Sequence, residues 1–279
     1  MTVHFSTWQA SFAVFKTLLE VCPQEGSFMR LKGLYFSLML GFFGLLPNLG
    51  NLAAPSLGLA KPDTQAIGSV AGRVTIEGQL PQPSRISMSS DPSCAKAHPG
   101  PAVNEELVTG SGGTLGNVIV FVSDGLGNRT FEVPAQPVVV DQKGCMYLPH
   151  VVGIQAQQKL RMVNDDSTTH NIHPVPTNNR EWNKAQPAGT TFEESFAREE
   201  IAIPVKCNVH PWMRSYIAVF KHPFFAITGT DGHFDLRNLP PGEYTVEAWH
   251  EKLGAIKQVI TVAAGEAKNM DFVFKARGR

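Results

Sequence analysis

The sequence predicts an all-β protein built of sandwiches. Three observations carry that expectation. Beyond residue 60 there is almost no helical periodicity, and short alternating or apolar runs take its place. Gly (25) and Pro (20) are abundant, which suits a chain with many turns. Hydrophobic residues make up 43% and charged residues 17% of the 279, enough to bury a core and too apolar for disorder. Lys+Arg and Asp+Glu both number 24, so the basic excess of a nucleic-acid binder is missing.

Residues 1–60 read as a region apart from the fold. Met29–Lys32 is short and basic, Gly33–Leu46 is apolar, and small residues follow up to Gly58-Leu59-Ala60. That is the three-part layout of a secretory signal, with cleavage expected after Ala60 and Met29 as a candidate initiator. The apolar run is about 14 residues, against the roughly 20 a membrane helix needs, and an uncleaved N-terminal membrane anchor is the alternative. The mature chain is expected in the periplasm or another extracytoplasmic space. Cys22 leaves with the signal, and Cys94, Cys145 and Cys207 remain, an odd number where pairing is the rule.

Along the mature chain, Val118–Val122 reads as a buried strand, and Leu160 and Met162 alternate with Lys159 and Arg161. Ile201, Ile203, Val205 and Cys207 fall on one face of a strand of period two. Tyr244, Val246 and Ala248 form a similar row that His250 extends. Ser123-Asp124-Gly125, Thr230-Asp231-Gly232 and Pro240-Pro241-Gly242 are turn signals, the second read as a hairpin turn rather than a calcium loop.

One stretch carries chemistry. Cys207-Asn208-Val209-His210-Pro211-Trp212-Met213 sets a thiolate, an imidazole and a thioether at spacings of three, just past an inward-facing strand. Soft sulfur with imidazole suits copper, and a trigonal copper site takes one thiolate, two imidazoles and a weak axial thioether. The second imidazole has to come from elsewhere. His170, soon after a strand ending near Val163, is the candidate, and His173 reads as a bystander.

With these residues in view, Val138 to Phe220 resembles a cupredoxin, most of all the amicyanin and plastocyanin group. His170-Asn171-Ile172 matches that family's first ligand tripeptide, and Cys207, His210 and Met213 match its closing loop with amicyanin-like gaps. The resemblance implies a Greek-key sandwich and one mononuclear type 1 copper ion on His170, Cys207, His210 and Met213. It also implies that Asn171 bridges the two ligand loops by hydrogen bonds. His210 would then show an edge inside an apolar surface patch, the usual electron doorway, enlarged by Trp212. With Cys207 as ligand, Cys94 and Cys145 are left to form a disulfide. A rival reading makes Cys145 and His150 a second metal pair.

A second resemblance concerns the flanks. Gly72–Gly78 is similar to the first strand of a carboxypeptidase-regulatory-like (transthyretin-like, Ig-like) sandwich, and residues 227–274 are similar to the rest of it. The run D-G-x-F-x-L-x-x-L-P-P-G-x-Y-T-V from Asp231 to Val246 carries that likeness, as a hairpin and its following strand. Residues 61–134 plus 223–279 are thus expected to form this sandwich, with 135–222 inserted as the copper domain. Two sandwiches in tandem are the alternative.

The expected function is non-enzymatic. Four protein ligands leave no open position for a substrate, and neither a His-Cys-His run nor a second loop cysteine is present to serve a multicopper or binuclear centre. A closed ligand set suits one-electron transfer with a redox protein such as a c-type cytochrome. A copper-binding envelope or adhesion scaffold without a redox partner is the alternative, and copper delivery a third reading.

Overall fold

The computed structural model describes residues 66–98 and 100–276. It begins with β1 (Gly68–Glu77), the short helix α1 (Pro92–Ala97) and β2 (Ile119–Asp124). Then come β3 (Val138–Lys143), β4 (Met146–Leu148), β5 (Val151–Gln155), β6 (Leu160–Asn164), β7 (His170–Pro174), β8 (Lys184–Gln186), β9 (Thr191–Glu194), β10 (Glu200–Lys206) and β11 (Arg214–Phe220). The chain closes with β12 (Phe225–Ile227), β13 (His233–Leu239), β14 (Gly242–His250), β15 (Gly254–Val262), β16 (Ala267–Asn269) and β17 (Phe272–Lys275). The signal or anchor region expected at 1–60 lies outside the described residues. No described helix is long and apolar enough to cross a membrane.

Pairing divides the strands into two sets. Among the described residues, β3 to β11 pair only with one another, in the sheets β5-β11-β10-β7-β8 and β4-β3-β6-β9. The strands before and after them pair with each other, in the sheets β12-β2-β14-β15 and β13-β1-β16, with β17 also on β1. Each pair of sheets encloses its own core. Val74, Val120, Phe234, Val246 and Phe272 belong to the outer one, and Ile154, Leu160, Met162, Ile203 and Ile217 to the inner one. All described residues fall within one compact unit.

A third apolar layer joins the sets. Ile119 and Phe121 of β2 meet Val151 of β5 and Ala218 and Phe220 of β11. Phe220 is stacked on Phe225 at a centroid distance of 4.3 Å. This explains the unbroken apolar run read in the sequence: β2 is covered on both faces, so its residues need not alternate.

Two local expectations are corrected. Ile201 does not share the face of Ile203, Val205 and Cys207. The register slips between Glu200 and Ile203, and Ala202 sits at φ +62°, so a bulge inserts one residue and turns Ile201 to the β2–β11 layer. The Asp231-Gly232 turn does not make a hairpin either. β12 and β13 lie in different sheets, so the turn carries the chain across the end of the outer sandwich. Gly232 has φ +68°, and a Cβ there would come within 2.4 Å of the Val74 carbonyl oxygen. The hairpin of this region is β14–β15, paired from Gly242↔Val262 to His250↔Gly254.

Candidate metal centre

Three neighbouring strands bring the candidate residues to one end of the inner sandwich. β10 ends one residue before Cys207, β11 starts one residue after Met213, and the two strands are antiparallel partners. β7 flanks β10 with Lys206 opposite His173, so continuing the register sets Cys207 and Asn208 beside Ile172 and Asn171. His170, the first residue of β7, thereby arrives at the Cys207–Met213 loop. That loop is tight: Met213 N–H donates to the His210 carbonyl at 2.9 Å, and Cys207 N–H donates to the Met213 carbonyl at 3.2 Å.

The ligand atoms of His170, Cys207 and His210 lie within 4.8 Å of one another. The two Nδ1 atoms are 2.8 Å apart, and Cys207 Sγ is 3.8 Å from His210 Nδ1. All three side chains are buried, as is Met213, which shares the inner core with Cys207. His173 is not in this group. Its ring faces Asn208 Oδ1 and Glu181 Oε1. Asn171 links the two ligand segments: its Oδ1 accepts from Asn208 N–H at 2.6 Å and lies 3.4 Å from Cys207 Sγ. Its backbone carbonyl accepts from the buried Tyr147 hydroxyl at 2.5 Å.

The thiol is tuned toward thiolate. Burial pushes its pKa up, but hydrogen bonds from His170 and from the backbone at Asn171, His210 and Val209 outweigh that and bring it down to about 6. His210 N–H is 3.4 Å from the sulfur. A buried thiolate among such donors is a ready soft ligand.

Two carboxylates not anticipated from the sequence complete the arrangement. Asp166 Oδ2 accepts from His170 Nε2 at 2.9 Å, and Asp91 Oδ2 accepts from His210 Nε2 at 2.9 Å. Burial opposes ionisation of Asp166, yet the His170 bond and the N–H groups of Cys145 and Gly144 hold its pKa below the ordinary carboxylate value. The sequence did contain signals for both. Asp91-Pro92-Ser93 is a helix-start pattern, with Asp91 as N-cap and Pro at the first position of α1, and Asp166 precedes His170 by four residues. What no local pattern could give is that these carboxylates face the imidazoles.

Cys94 and Cys145 form a disulfide. This removes the alternative of a Cys145–His150 metal pair. His150 instead pairs with Glu251, Nε2 to Oε1 at 2.5 Å. The expected exposed edge of His210 is also absent. Asp91 occupies the position beyond Nε2, the Trp212 ring lies at 5.1 Å from the His210 ring, and His210 is only 2% exposed. Trp212 is itself fixed, its indole N–H donating to the Cys145 carbonyl at 3.1 Å.

The donor set is one that could hold a metal ion. An ionised carboxylate can only accept, so each Nε2 carries a proton toward its carboxylate, and the two Nδ1 atoms face each other beside the Cys207 sulfur. Nδ1 atoms 2.8 Å apart are bridged by a shared proton or by a metal ion in its place; burial opposes protonation of His170, but Asp166 and the Cys207 sulfur outweigh it and bring its pKa up to about 9. Two imidazoles and one thiolate, with a thioether in the same loop, fit copper better than harder ions.

No family model matches the chain, and neither does any curated protein. Among solved structures, a copper-containing nitrite reductase from Thermus scotoductus SA-01 aligns over 34% of this chain and 26% of its own, at 19% identity and TM-score 0.30. A purple cupredoxin from Nitrosopumilus maritimus aligns over 29% of this chain and 98% of its own, at 23% identity and TM-score 0.26. An oxidised amicyanin carrying one substitution aligns over 36% of this chain and 97% of its own, at 16% identity and TM-score 0.28. The chain is an all-β protein, and the solved structures that align with about a third of it include a purple cupredoxin and amicyanin.

Proposed function

We propose that the chain holds one mononuclear type 1 copper ion on His170, Cys207 and His210, with Met213 as the weak fourth ligand, and carries single electrons between redox partners outside the cytoplasm. The carrying observation is the convergence of two inward-facing imidazole nitrogens on a buried cysteine held as thiolate. Copper bound there would supply one-electron redox chemistry. The protein's part is to hold the ligands still: His170 by Asp166, His210 by Asp91, and the loop by its own backbone bonds. Rigid ligands change little between the two charge states. The disulfide fits an oxidising compartment, in line with an exported chain. We take the partner to be a soluble redox protein such as a c-type cytochrome, and the outer strands to be a transthyretin-like sandwich into which the copper domain is inserted.

The test is optical. The chain beyond residue 60, loaded with copper, should be intensely blue, with a narrow-hyperfine paramagnetic signal, and a colourless tetragonal copper protein would refute the assignment. Met213→Leu should keep the colour and raise the reduction potential, because the axial thioether is one of the groups that tunes it.

One observation favours the second reading, a copper-binding envelope scaffold without a fast redox partner. Asp91 covers the imidazole edge through which a partner would reach the metal. Mixing the reduced protein with c-type cytochromes separates the two: rapid oxidation supports the carrier, and exchange no faster than self-exchange supports the scaffold.

A further inference from the structure

We propose that Asp91 and Asp166 are positioning residues for the two metal-binding imidazoles, and that the Cys94–Cys145 disulfide ties both into one closed brace. The inference rests on the metal reading above and adds to it a part of the molecule outside the ligand loops.

The brace can be followed bond by bond. His170 Nε2 donates to Asp166. Asp166 is gripped by the two-residue turn between β3 and β4, with Gly144 N–H at 2.7 Å on Oδ1 and Cys145 N–H at 2.8 Å on Oδ2. Cys145 is bonded through sulfur to Cys94. Ser93 and Cys94 N–H donate to Asp91 Oδ1 at 2.7 and 3.3 Å, and Asp91 Oδ2 accepts from His210 Nε2. A metal between the two Nδ1 atoms would close the ring.

Three features argue that this is built rather than incidental. Each carboxylate spends its remaining acceptor capacity on backbone N–H groups, so it cannot swing away without stranding them. Cys145 has φ +54°, an uncommon conformation for a non-glycine residue, and with Gly144 at +63° it aims both turn amides at Asp166. The disulfide also lies against both imidazoles: the Cys94 sulfur is within 4.8 Å of the His210 and Asp91 ligand atoms, and the Cys145 sulfur likewise of those of His170 and Asp166. Carboxylates beyond ligand imidazoles fix their tautomer and raise their basicity, and losing one typically costs about 10–100-fold in metal affinity.

The experiment compares the full chain with Asp91→Asn, Asp91→Ala, Asp166→Asn and Cys94→Ser/Cys145→Ser, reading cobalt(II) and copper(II) affinity by chelator competition and the copper reduction potential. Each Asp variant should bind both metals about 10–100-fold more weakly. Each should also raise the potential, because removing a negative charge disfavours the more positive copper. The cysteine variant should weaken binding too, and less than additively with Asp91→Ala, since both act through one ring. Unchanged affinity and potential in both Asp91 variants overturn the brace. Asp91 lies at the edge and is the safer position to change; should Asp166→Asn not fold, the Asp91 pair decides. A wild-type protein that is not blue refutes the type 1 reading alone, because cobalt(II) affinity still reads the brace.

Discussion

His250 offers a quantitative test of burial at the end of β14. It ends the inward row of β14, is fully buried, and rests near the Phe274 ring. Its Nδ1 accepts from Lys252 N–H at 3.2 Å, and its Nε2 has no partner among the described residues. Burial, reinforced by the nearby His150 and Lys252 charges, brings its pKa down from 6.5 to about 4. The native state therefore keeps this ring neutral in a window where the unfolded chain protonates it. The associated stability is complete above pH 6.5 and is lost as pH falls toward 4. At roughly 1.4 kcal/mol per pH unit, the loss across that window amounts to about 3 kcal/mol. His250→Asn isolates it, because the amide oxygen can replace Nδ1 as acceptor and cannot take the proton. Urea unfolding of the metal-free proteins at pH 7 and pH 4 should show the wild type losing about 3 kcal/mol more than the variant. Other titrating groups are common to both and cancel. Equal losses in the two proteins would refute the reasoning.

Two further outcomes concern stability. The disulfide closes a separation of 51 residues, so Cys94→Ala/Cys145→Ala should lose about 4 kcal/mol on the chain-entropy model, visible as a lower urea midpoint. Phe220→Ala should cost about 3–5 kcal/mol, because the ring is fully buried against Phe225 and Phe121 in the layer between the sheets. The readout is the same unfolding curve, and a loss comparable to an exposed substitution would show that the layer is not tightly packed.

The sequence was most informative where one residue's chemistry is set by its near neighbours. Alternation from Tyr244 to His250 and the apolar run at Val118–Val122 marked strands that are buried on one face and on two. The two candidate segments were legible because strand ends and a short loop fix their residues locally, and the structure brings the donor atoms of His170, Cys207 and His210 within 4.8 Å of one another. Reading failed where one inserted residue or a distant partner decides. Nothing about Ala202 announces a left-handed residue, yet it moves Ile201 to another layer. The Asp231-Gly232 turn has hairpin chemistry, but the strands on either side belong to different sheets. Asp91 is 119 residues from His210, and only the folded chain joins them.

The pairing of β1 has a bearing on how the molecule comes into being. Its neighbours are β13, β16 and β17, with Gly68 opposite Leu239 and Val74 opposite Phe272. As the chain is synthesised from its amino end, β1 appears before its partners, whereas every described partner of β3 to β11 lies within that stretch. The inner sandwich can therefore mature while β1 still shows two bare edges, the kind of surface that invites pairing with other chains. The final strands act as a seal: until β17 has docked, the newborn protein can already gather His170, Cys207 and His210 but remains open to aggregation along β1.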